Sequence, residues 1–192
     1  SDELNTLYGP FVLKVTVASP GVEDVPVHLP AGDDWYDPRS GLLWRGGLNV
    51  RKETPMDGSA HFFVRRGAVL PQNESVSQLT TGLIEHTELA LYPPKEGRKV
   101  CFNHYEDDGV TELSLGQYNC YSLTLTSSTV VVSNTASGLK PIQKGQRRHR
   151  LTLPEGFVFI ENHAAAFAYD PDALTEDLVL SFEGCWKEGD GR

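Results

Sequence analysis

Apolar residues in this chain recur at every second position far more often than at helical spacing. That alternation restricts it to strands with one buried and one wet face. The run Tyr-Ser-Leu-Thr-Leu-Thr is the clearest case. Tyr121, Leu123 and Leu125 fall on one side, and Ser122, Thr124 and Thr126 on the other. The same pattern predicts strands over 11–17, 25–29, 61–66, 87–92, 99–105, 129–133, 150–153 and 177–182. Turn signals rich in Gly, Pro and Asp separate them, among them Ser-Pro-Gly, Arg-Gly-Gly, Pro-Pro-Lys-Glu-Gly and Asp-Asp-Gly. Short strands with frequent turns predict an all-β fold of two successive antiparallel β-sandwich domains. The one helical candidate is a single turn over 171–177, with Pro171 near its start. A polar, weakly periodic stretch at 71–87 is the expected connection between domains at 1–80 and 86–186, and 187–192 is expected to fray.

Charge narrows the partners. The 17 basic and 26 acidic residues give a formal net charge of -9, which repels phosphate backbones, so nucleic acid is not an expected partner. The basic run Arg147, Arg148, His149 and Arg150 is short and expected to be solvated. No apolar stretch reaches the length of a membrane span, so no membrane partner is expected. The first residues lack the pattern of a signal peptide. Cys101, Cys120 and Cys185 form neither a zinc pattern nor a disulfide framework. Reduced thiols, as in a cytosolic protein, are expected, with a Cys101–Cys120 bridge as the alternative. Asn73-Glu74-Ser75 fits a glycosylation sequon, which matters only in a secreted chain.

Two stretches concentrate chemistry-bearing residues. The first holds Glu106, Asp107, Asp108 and Glu112. Carboxylates that hydrolyse a glycosidic bond flank it across a cleft, roughly 5 to 10 Å apart. Adjacent residues diverge instead, which makes Asp107 and Asp108 a poor acid and nucleophile pair. The alternating spacing of a calcium loop is also missing. Asp-Gly between strand-like runs is a hairpin signal, and a ligand or metal contact is the alternative. The second stretch, residues 29–47, carries Trp35, Tyr36 and Trp44. These rings are either a platform for sugar stacking or the filling of a small core. Asp37, between Tyr36 and Pro38, is expected to cap a turn. The histidines, His28, His61, His86, His104, His149 and His163, lack metal-ligand spacing, and His104 is expected at the surface. There is no nucleophile elbow, dinucleotide fingerprint or phosphate loop, so no cofactor is predicted.

The motifs of 7–118 resemble those that follow the catalytic barrel in glycoside hydrolase family 31, the α-glucosidase and α-xylosidase family. The pattern is carried by Tyr8, Gly9, Pro10, Leu29, Pro30, Gly32, Trp35, Tyr36, Asp37, Gly41, Gly46 and Gly47. It continues in Phe63, Val64, Arg65, Gly67, Val69 and Pro71, and then in Tyr105 through Gly109 with Thr111. Where the family usually has proline before the Phe-Val-Arg strand, this chain reads Ala60-His61-Phe62. The resemblance spans about residues 7–183 and implies the proximal and distal C-terminal β-sandwiches of such an enzyme. The family's two catalytic aspartates belong to the barrel, and no acidic residue here matches either motif, so the catalytic set is empty. A non-catalytic region of a retaining α-glycosidase is implied, with the parent's barrel as partner. The alternative is a carbohydrate-binding module for α-glucans or xyloglucan-type sugars, with contacts at Trp35, Tyr36, Trp44, Tyr105, Asp107 and Asp108. Apolar residues at 7–17 and 61–66 are expected to be exposed and to promote self-association.

Overall fold

A computed structural model describes residues 5–17, 21–54, 60–73, 86–106, 119–134, 148–160, 166–169 and 176–190. Every described element is a strand. The chain forms two compact units: Ser1–Ala68 with Pro154–Gly156 and Cys185–Arg192, and Val69–Leu153 with Phe157–Gly184.

Unit 1 has a six-stranded sheet in the order β1 (Asn5–Tyr8), β2 (Val12–Val15), β7 (His61–Arg65), β4 (Trp35–Asp37), β5 (Leu42–Trp44) and β17 (Lys187–Glu188). A two-stranded sheet pairs β3 (Asp24–His28) with β6 (Asn49–Glu53). Leu13, Val15, Trp35 and Phe63 from the larger sheet pack with Val25, Val27 and Val50 from the smaller, and Leu29 joins them. Each buried aliphatic or aromatic side chain in such a cluster contributes about 1.5–3 kcal/mol, enough for the alternating pattern to set which face turns inward. β3 and β6 show that alternation in their burial, position by position.

Unit 2 has a five-stranded sheet, β10 (Val100–Glu106), β11 (Asn119–Leu125), β12 (Thr129–Asn134), β16 (Leu178–Gly184) and β14 (Phe157–Phe159). Its four-stranded sheet runs β15 (Ala166–Tyr169), β13 (Arg148–Thr152), β9 (His86–Leu91) and β8 (Val69–Asn73). On β11, Tyr121, Leu123 and Leu125 are buried and Ser122 and Thr124 are not, as alternation demands. Thr126 turns the chain into β12: its backbone N–H donates to the Thr129 carbonyl at 2.9 Å, and its hydroxyl lies 2.8 Å from that of Thr129.

The pairing is antiparallel except for β13 on β9 and β17 on β5, which are parallel. Both exceptions join strands far apart in sequence, for which no local turn imposes a direction. The segment expected to fray is paired at Lys187–Glu188, because Trp186 and Gly189 beside it have surfaces to pack on. The stretches 74–85, 107–118 and 171–175 lie outside the described residues, and with them most of the connecting segment, the acidic turn and most of the helical candidate.

Candidate functional site

The Gly- and aromatic-rich pattern at 29–47 closes on itself. Leu29 N–H donates to the Leu48 carbonyl at 2.9 Å, and Gly47 N–H donates to the Leu29 carbonyl at 2.7 Å. The Trp35 indole N–H donates to the Pro30 carbonyl at 2.8 Å. Gly46 fills the gap between them: a Cβ there would lie 2.1 Å from the Asp33 carbonyl oxygen and 2.5 Å from that of Pro30. Only a residue without a side chain fits so close to backbone.

The rings of the candidate platform are buried or half-buried. Trp35 is fully buried, with the Arg65 guanidinium 5.2 Å from its ring centroid. Trp44, its register partner, packs half-buried on the same core, with the Lys52 ammonium 4.1 Å from its ring centroid. Tyr36 takes the other face of β4 and is 5% exposed, its ring tilted against Trp186 at 5.2 Å. Burial pushes its phenol above the usual tyrosine range. Trp35 and Tyr36 thus take the core-filling alternative, and Trp44 packs half-buried against the core. Tyr105 stands apart in unit 2, exposed on β10 at the edge of the five-stranded sheet. Asp107 and Asp108 lie outside the described residues; β10 and β11 pair as far as Glu106 and Asn119, the residues flanking them.

Sequence reasoning missed a buried charged group around Asp37. The expected cap is present: the carboxylate accepts from Arg39 N–H at 3.0 Å and from the Ser40 hydroxyl at 2.8 Å. It also meets Lys52 Nζ at 2.8 Å, and His61 Nε2 lies 3.3 Å from its other oxygen. Burial works to raise the Asp37 pKa, yet His61, Lys52 and Ser40 together hold it well below the usual carboxylate range. Pro38, Arg39, Ala60, His61 and Phe62 line a shallow recess of about 290 Å³ beside the group. Asp37 is 1% exposed and its oxygens are taken up by Lys52, the Ser40 hydroxyl and the Arg39 N–H, so it fixes its own turn to β6. Two signals pointed to it: a lysine at an inward position of β6, and a histidine in the run Ala60-His61-Phe62 that departs from the resembled pattern.

A further expectation is corrected. His149, read with the solvated basic run, is 1% exposed, because it takes an inward position of β13 and meets Tyr121 and His104 ring to ring. His104 is half-buried in that cluster. Cys101 and Cys120 do not bridge. Cys101 faces Thr124 across the β10–β11 ladder and Cys120 faces Tyr105, four register positions apart, beyond the Cα separation a disulfide spans. Among the described residues no group of three or more His, Cys, Asp or Glu is arranged to hold a metal ion, and no helix is long and apolar enough to cross a membrane.

No protein-family model matches the chain. An α-xylosidase of Saccharolobus solfataricus is 32% identical over 119 residues, 62% of this chain and 16% of that protein. A probable glucan 1,3-α-glucosidase of Oryza sativa subsp. japonica is 27% identical over 103 residues, 54% of this chain and 11% of that protein. Among solved structures, a family 31 α-xylosidase of Xanthomonas citri superposes with a TM-score of 0.65 at 20% identity, over 92% of this chain and 19% of its own. A family 31 dextranase of Flavobacterium johnsoniae complexed with glucose gives 0.66 at 18% identity, over 81% and 20%. In sequence and in fold the chain is therefore similar to a limited part of family 31 glycoside hydrolases and related α-glycosidases, spanning 11–20% of the length of the relatives named.

Proposed function

We propose that the chain is a non-catalytic accessory region of a family 31 glycoside hydrolase, its two units the proximal and distal sandwiches that brace the barrel carrying the chemistry. The parent in this reading is a retaining α-glycosidase. The observation that carries it is the surface of unit 1. Leu7 is 46% exposed, Tyr8 59% and Phe62 42%, on strands β1 and β7 of one sheet, with β1 at the sheet edge. The register puts Tyr8 and Phe62 on the same face of that sheet, and large exposed apolar side chains on one sheet face suit a surface meant to be covered. Among the described residues, the buried Asp37 is committed to Lys52 and its turn.

A carbohydrate-binding reading keeps only Tyr105 as an exposed ring among its described contacts, and nothing in unit 1 favours it. The test is turnover of aryl α-glucosides and α-xylosides by the purified chain. None is expected. Turnover that follows the protein through successive columns overturns the proposal.

A further inference from the structure

Unit 1 is completed by residues remote in sequence. The chain leaves it at Ala68 and, apart from Pro154–Gly156, comes back at Cys185. There Lys187 lies opposite Leu42 and Glu188 opposite Leu43 on the β5 edge. Gly189 N–H donates to the Leu43 carbonyl at 2.8 Å, and Cys185 N–H donates to the Gly156 carbonyl at 3.2 Å. Lys187 pairs with Glu155. The Trp186 ring rests on Tyr36, with the Arg66 guanidinium 6.0 Å from its centroid. Gly189 sits so close to Trp44 that a Cβ there would lie 2.6 Å from Cε2. The segment is thus read at two positions, a large ring at 186 and no side chain at 189, with backbone pairing between them. Two paired residues are too few for the ladder alone to hold it.

We propose that the β5 edge of unit 1 is a strand-acceptor surface for the sequence Trp-Lys-Glu-Gly, 186–189. The chain's own segment fills it, and the same segment of a second copy fills it when the first is displaced. The occupant follows from identity: a second copy makes the same contacts to Leu43, Tyr36, Trp44 and Arg66. The intramolecular segment prevails because its tether sets an effective concentration in about the millimolar range, and exchange of an identical element between copies needs no new surface.

The test uses the full chain carrying Gly189→Ala, which drives a methyl into the Trp44 ring and releases the segment. A fluorescein-labelled peptide of residues 184–192, with Cys185→Ser, is added and anisotropy followed. The variant is expected to capture it saturably and at least about tenfold more tightly than the unaltered chain, the tether advantage having gone. The peptide carrying Trp186→Ala is expected not to bind. The full chain with Trp186→Ala, which withdraws the anchor without adding an atom, serves as a second acceptor with the same expected capture. Capture by neither variant, or equal capture of the Trp186→Ala peptide, overturns the proposal.

Discussion

Lys52 Nζ lies 2.8 Å from Asp37 Oδ2, with the lysine side chain 11% and the aspartate side chain 1% exposed. The pair ties β6 of the small sheet to β4 of the large one. Removing one partner strands the other charge out of water, which typically costs 3–5 kcal/mol, about half of a domain's stability. Lys52→Met is therefore expected to destabilise unit 1 by about 3 kcal/mol or more. All three tryptophans, Trp35, Trp44 and Trp186, belong to unit 1, so urea unfolding followed by tryptophan fluorescence reports that unit. A midpoint unchanged from the parent chain would refute the assignment.

Acid should act on the same group. The folded Asp37 carboxyl titrates below its unfolded value, so its contribution is fully present above about pH 4 and is lost as pH falls toward the folded value. The tryptophan-detected melting temperature is expected to drop below pH 4, and Asp37→Asn should flatten that part of the profile. An equally steep profile in the variant would exclude Asp37 as the source.

Gly46 has no room for a side chain, since the obstructing atoms are the Pro30 and Asp33 carbonyls and not movable side-chain ends. Gly46→Ala is expected to cost about 1–3 kcal/mol or more through forced backbone shifts. Circular dichroism melting of the two chains checks it. A fall of less than a degree would mean that the loop relaxes freely.

Thiol titration separates the cysteines. Cys101 and Cys185 are exposed and Cys120 is buried, and none is bridged. A thiol-specific chromophore should report two fast-reacting groups in the native chain and three after denaturation. Only one thiol after denaturation would restore the Cys101–Cys120 bridge.

The exposed Leu7, Tyr8 and Phe62 predict weak self-association at high concentration, measured as a rising apparent mass in static light scattering. Replacing the three with serine is expected to abolish the rise. A strict monomer in both chains would remove this surface from the argument for a covered face.

Much of the molecule is legible in its residue pattern, because alternation is a local property that any strand with one buried face must display. The run from Tyr121 to Thr126 names its own inward face, and the motif residues of 29–47 mark out a loop held by its own backbone. The short strands β4 and β5 were not separable from that loop, since three residues carry too little periodicity.

Partnership across distance was settled only in three dimensions. Alternation places Lys52 inward but does not say that Asp37 and His61 wait there, and it leaves Trp35, Trp44 and Tyr36 open to either stacking on sugar or filling a core. The return of residues 185–190 to β5 follows from no local rule, because a parallel pairing joins strands that no turn connects. Sequence sets the face each side chain takes; which group meets it there depends on loop closures that the chain completes only when both sheets are in place.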